Sequence, residues 1–302
     1  LSMSQGANMT GSDNGITISA GTVNGNVTVG SRATGSLTIS GGTVTGTVSK
    51  TASDAPATIS VTGGTFPKCD VTAYLDADHV YNAETGAVTE YVAVYGDTRY
   101  ADIDKALTAW AEGGGTLELL TDCTADFTEG LSVEKNAELR LGGKTLTLSH
   151  GYIATSNALT IQNGKIVVPS DGSYYAVCGY YGSNITLTNA EIEGQKSGAV
   201  TCGGTLTMDG GKLTGSGYGL SASGSGTFTV KSGEINILKA SYQAAVIILG
   251  KDGGTYTALR VNTLSLSSDN NSVEFKSGIV GTLQTYYSPK LTATENAYFV
   301  NR

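Results

Sequence analysis

One pattern constrains this chain more than any other: two apolar residues two apart, followed by a third five residues later, recurring nine times. The triplets are Ile16/Ile18/Val23, Leu37/Ile39/Val44, Ile59/Val61/Phe66, Leu139/Leu141/Leu146, Leu159/Ile161/Ile166, Ile185/Leu187/Ile192, Leu206/Met208/Leu213, Phe228/Val230/Ile235 and Val273/Phe275/Val280. A turn sits between the second and third members and usually carries glycine, as at Gly41-Gly42, Gly63-Gly64, Asn163-Gly164 and Gly210-Gly211. Alternation with period two marks a strand with one buried face, and glycine supplies the backbone conformation a sharp corner requires. Each triplet therefore predicts strand, corner, strand.

First members follow one another at 21 and 22 residues in the early set, and at 20, 26, 21, 22 and 45 in the late set, the last interval being two coils. A period near 21 with strands this short predicts an all-β chain folded as a parallel β-helix. A second apolar column at Val177, Val200, Leu220 and Val246 predicts three-faced coils, and the bias of parallel crossovers predicts a right-handed helix. The abundance of glycine, 42 of 302 residues, with only 15 % charged residues, fits a repeat protein rather than an ordinary mixed domain.

The outward positions predict two ladders. Thr17, Thr38 and Ser60, then Arg140, Thr160, Thr186, Thr207 and Thr229, form a mostly threonine column suited to a half-exposed strand surface. The residue before the third apolar member is Thr22, Thr43 and Thr65 in the early coils, but Lys165, Glu191, Lys212 and Glu234 in turn in the late ones. With coils about 4.8 Å apart, this alternation would set each Lys between two Glu and penalise a slip of one coil.

Between Ile59 and Leu139 the period breaks for 80 residues. Ile103, Ala106, Leu107 and Trp110 lie at i, i+3, i+4 and i+7, with Asp102 at the N-cap and Gly113 to Gly115 beyond the end, which predicts a short amphipathic helix over residues 101–112. Placed before the strand at Thr116–Leu120, it would cover an open solenoid end. Tyr81 to Tyr95 reads as a hairpin about Glu84-Thr85-Gly86. The expected organisation is residues 1–75 as the last coils of a first β-helix, 76–99 as a hairpin and linker, and 100–302 as a second β-helix. A chain opening mid-solenoid reads as part of a tandem array with further modules.

These segments resemble a family. Tyr100-Ala101-Asp102-Ile103-Asp104-Lys105-Ala106-Leu107, then Gly115-Thr116-Leu117-Glu118-Leu119-Leu120-Thr121-Asp122, then Leu139-Arg140-Leu141-Gly142-Gly143-Lys144-Thr145-Leu146, look like the pectate-lyase-like β-helix modules of large surface proteins from gut Firmicutes. The stretch Ile59–Leu75 is similar to the segment that closes such modules. The resemblance implies an adhesin-like or structural role at the bacterial cell surface, and it carries no catalytic residue across.

The chemistry-bearing residues are weighed against that expectation. A formal charge of -8 without clustered Lys and Arg argues against nucleic acid or an anionic membrane as partner. No apolar run reaches the roughly 18 residues of a membrane span, and no leader opens the chain, so export and anchoring signals are expected outside this sequence. Cys69, Cys123, Cys178 and Cys202 have no CxxC spacing, and His79 and His150 are the only histidines, so neither a metal site nor a cofactor is expected. Buried thiols are the default reading, with Cys178 and Cys202, about one repeat apart, the one pair a disulfide could join. Asp122, Asp126, Glu129 and Glu134 read as a solvated face, Asp209 is expected opposite Lys231, and Ser12–Gly15 and Ser268–Asn271 read as plain turns.

Polysaccharide cleavage by a β-helix would need converging carboxylates or a calcium site beside a basic residue. The binding candidate is aromatic: the coil from Leu159 to Ile185 runs about five residues long and carries Tyr174, Tyr175, Tyr180 and Tyr181. Tyr175, Gly198 and Tyr218 occupy one column, setting two rings roughly 10 Å apart, a spacing that suits a glycan or a loop of a host surface protein.

Overall fold

The computed structural model describes residues 2–3, 15–169, 175–196, 198–216 and 218–222, together with strands within 227–299; side chains are described in 15–169, 175–196, 198–216 and 219–220. It is a parallel β-solenoid with one short α-helix, divided by its contacts into two units, residues 1–91 and 92–302.

In the second unit each coil contributes to the same parallel ladders. Gly115–Leu119 pairs with Ala137–Arg140, then Ala158–Val168, Asn184–Gly194, Thr205–Gly215 and Thr227–Ile237. Another face stacks Leu131–Val133, Ile153–Thr155, Tyr175–Gly179, Gly198–Cys202 and Tyr218–Ala222. Period-two alternation turns these ladders into apolar columns. Leu117, Leu139, Ile161, Leu187 and Met208 lie in register, as do Leu146, Ile166, Ile192 and Leu213, all but closed to solvent. Each such side chain contributes about 1.5–3 kcal/mol on burial, so the stacked interior is the main source of stability.

The corner between the first two faces is a backbone column of its own. Register places Asn163 beside Asn189, and Gly164, Ala190 and Gly211 at the next level. Asn163 and Asn189 hold φ of 56° and 47°, the left-handed region that asparagine tolerates better than other non-glycine residues, and Gly210 takes φ 78°. At Gly211, φ 82°, a Cβ would stand 2.1 Å from the Ala190 carbonyl oxygen of the preceding coil. There the glycine is required both by conformation and by the closeness of the next coil.

Three expectations need correction. In the second coil the inward pair is Ala137/Leu139 rather than Leu139/Leu141, because Ala137 aligns with Leu159 and Leu139 with Ile161. The corner that follows is two residues longer: Leu141 to Lys144 form a tight turn, closed by Lys144 N–H donating to Leu141 O at 2.8 Å. Glu138, not Arg140, therefore joins the threonine column beside Thr160. Leu220 aligns with Ile247, one residue past the expected Val246. Asp209 aligns with Ser232 across a bulge, which takes Lys231 out of that position. The 45-residue interval holds a coil at Gly254–Tyr256, whose first inward position is glycine and so lacks the apolar signal.

The helix Ile103–Gly113 begins at Asp102, whose carboxylate accepts from the N–H groups of Asp104 and Lys105 at 3.0 and 3.2 Å. It buries Ala106, Leu107, Trp110 and Ala111 against the first coil, and the Trp110 indole N–H donates to the carbonyls of Gly115 and Glu138, both at 3.1 Å. One ring thus covers the open end and ties two coils together.

In the first unit Gly15–Ile18, Ser36–Val44 and Thr58–Thr65 stack in parallel around Leu37, Ile39, Val61 and Phe66. A hairpin of His79–Tyr81 and Ala87–Glu90 closes the last coil, pairing antiparallel with Gly64–Thr65. The expected hairpin from Tyr81 to Tyr95 stops short of that end. Ala93–Tyr95 turns at Gly96, φ 59°, and pairs antiparallel with Thr98–Tyr100 and Gly115–Leu119 in the second unit. Residues 76–99, expected as a hairpin and linker, are thus mostly two hairpins, one in each unit. Among the described residues no helix is long and apolar enough to cross a membrane.

Gly143 and Gly211 have nearly equal φ, 79° and 82°, but a Cβ on Gly143 meets nothing within 4 Å. Gly143→Ala should cost about 1–2 kcal/mol from conformation alone, and Gly211→Ala a further ~1–3 kcal/mol from crowding of the coil before it. Urea unfolding of the two variants measures the difference; equal losses would show that coil-to-coil approach does not govern the corner.

Candidate functional site

The outer face of the second unit is built from strand positions that alternate with the buried columns, so its side chains sit on a rigid ladder. Several of its acids act between coils. Glu138 accepts from Thr116 Oγ1 at 2.8 Å on the coil before and from Gln162 Nε2 on the coil after, and pairs with Arg140 at 2.9 Å. Burial works to raise its carboxyl, but the hydrogen bonds of Arg140 and Thr116, with the Arg140 charge and Gln162, outweigh it and hold Glu138 below its ordinary range. Asp122 accepts from Thr145 N–H at 2.8 Å, and Asp126 contacts His150 Nδ1 at 3.1 Å, each reaching one coil onward. The acids near the cap that read as a solvated face thus include two that fasten coils.

The charge column is in register as Lys165, Glu191, Lys212 and Glu234, and continues to Arg260. Of Glu234 and Arg260 only the backbone is described. The ion pair made by Lys165 is not with Glu191, as expected, but with Glu193, at 2.8 Å. Residues 191 and 193 project to the same side of their strand, and a lysine stem reaches the diagonal neighbour as readily as the direct one. Burial raises the Glu193 carboxyl, yet hydrogen bonds from Lys165 and Gln195 and the charges of Lys165 and Lys212 leave it below the usual value. Sequence reasoning missed Glu193, although its outward position two residues after Glu191 was the available signal.

The tyrosines divide into two groups. Tyr175 opens the strand Tyr175–Gly179, in backbone register with Gly198 and Tyr218 as the spacing predicts. Tyr180 follows that strand's other end, roughly 16 Å along at about 3.3 Å per residue. Tyr180 and Tyr181 stand 49 % and 84 % exposed at a turn completed by Gly182, φ 84°. The neighbouring phenol of Tyr152, a residue the sequence reading did not single out, and then burial, raise the Tyr180 phenol. Tyr174 lies outside the described residues, as do the side chain of Tyr218 and the turn residues Ser12–Asn14 and Ser268–Asn271.

All four cysteines are free thiols. Cys178 aligns with Thr201, and Cys202 with Gly179, so the two fall one position apart and project to opposite sides of their strands. Burial pushes Cys178 up to about 12, and burial followed by the Asp122 charge pushes Cys123 up to about 11, both away from the thiolate that reactivity requires. Among the described residues no group of three or more His, Cys, Asp or Glu side chains could hold a metal ion.

Because the folded-state Glu138 carboxyl lies below its ordinary 4.5, its contribution to stability is full above that value and is lost as pH falls beneath it. Glu138→Gln should therefore lower the melting temperature at pH 7 and change it little at pH 3. An equal drop at both values would rule out the ionised carboxylate as the fastening species.

No family model, curated protein or solved structure matches this chain.

Proposed function

We propose that this chain is a non-catalytic module of an extracellular protein at a bacterial cell surface, with an adhesin-like or structural role. The observation that carries this reading is the use made of the outward carboxylates. Glu138, Asp122, Asp126 and Glu193 each engage a group one coil away, so acids that a polysaccharide-cleaving β-helix would converge on one glycosidic bond are spent joining coils. The resemblance of the cap-helix and second-coil segments to surface modules of gut Firmicutes agrees with it, and other modules of the same parent chain are the natural neighbours. Incubation with pectins and host glycans, with and without calcium, should release no new reducing or unsaturated ends. Sustained release would replace this reading with that of a lyase or hydrolase.

A second reading, glycan binding through tyrosines, is favoured by the exposure of Tyr180 and Tyr181. On this reading Tyr181→Ala weakens retention on immobilised mucin-type or plant glycans by about tenfold, the worth of one stacked ring, without lowering the melting temperature. Unchanged retention removes the tyrosines from the account.

A further inference from the structure

In the first unit, Leu37 and Ile59 are register partners on successive coils. Leu37 is fully buried, but Ile59 is partly exposed, because the closing hairpin pairs with this last strand only at Gly64 and Thr65. The edge left uncovered at Thr58 and Ile59 forms one wall of a cavity of about 500 Å³. Ser49 and Lys50 line it from the neighbouring face, Ser53 from the turn between, and Tyr74 from the 3-10 turn Thr72–Tyr74 that follows the last coil. That turn is fixed by Asp70, whose carboxylate accepts from Thr72 N–H at 2.8 Å. The volume falls within the roughly 300–1,000 Å³ of small-molecule sites.

We propose that this cavity binds a pyranose unit carrying one anionic substituent. Three features of the lining select that chemistry together. Ile59 and the Tyr74 ring offer an apolar surface to the C–H face of a sugar. Ser49, Ser53 and Thr58 offer hydroxyls that both donate and accept, as sugar hydroxyls do. Lys50 is the one charged lining residue; its ammonium gives one hydrogen bond to Ala55 O at 3.1 Å and keeps two donors for an anion. A purely apolar ligand would leave the hydroxyls and ammonium unmatched, and a bare anion would leave Ile59 and Tyr74 unmatched. The site is built from first-unit residues alone, and it does not depend on where the protein resides.

The test is titration of the full chain, followed by calorimetry and NMR, with galactose 6-sulfate, N-acetylneuraminic acid, galactose and inorganic sulfate. The two charged sugars bind saturably, and galactose and inorganic sulfate bind at least about tenfold more weakly. Lys50→Gln abolishes the preference for charged over neutral sugar at unchanged melting temperature, and Thr58→Val weakens both sugars alike. The proposal is overturned if neither charged sugar binds saturably, if inorganic sulfate binds as tightly as they do, or if Lys50→Gln keeps the preference.

Discussion

Every coil of this protein must turn the chain at the same place while a neighbouring coil makes the same turn about 4.8 Å away. That constraint organises the rest. It demands left-handed backbone at Asn163, Asn189 and Gly210, and at Gly211 it leaves no room for a Cβ beside Ala190 O. With the corners superposed, inward positions of successive strands fall into columns, and burial of those columns follows. With them superposed, the outward positions also form ladders, on which an acid in one coil meets a donor in the next.

The same constraint explains what could be read in the sequence. Glycine and apolar alternation are local signals, so the apolar positions of the coils from Leu159 to Ile235 were legible with the register the structure has, though not the bulge that sets Asp209 beside Ser232. The helix was legible because its apolar spacing and its Asp102 cap are also local. Misreading began where the corner changed length. At Leu141–Lys144 the extra residues let Leu141, itself buried, pose as a strand position, which displaced Ala137 from its place and hid Glu138. At Gly254 an inward position without a side chain erased a whole coil from the pattern.

The outer surface was less legible, because side-chain reach is not a periodic property. The register of Lys165 with Glu191 could be counted, yet the ammonium goes diagonally to Glu193. Tyr175 and Tyr180 are close in number but at opposite ends of one strand. The cavity beside Ile59 was invisible for a related reason: its walls come from a strand edge, a turn and a 3-10 turn, and none of these announces itself by spacing.

The fold rests on register, and the second coil is where register and sequence pattern disagree. Disulfide trapping of paired cysteine substitutions reads it directly, because a bridge needs Cα atoms within about 7 Å. Glu138→Cys with Thr160→Cys places the two thiols on directly adjacent strand positions and should form an intramolecular disulfide rapidly under mild oxidation. Arg140→Cys with Thr160→Cys sets them on the diagonal, about 7–8 Å apart, and should form one slowly or not at all. Rapid closure of the second pair and failure of the first would contradict the extended corner at Leu141–Lys144, and with it the stacking described here.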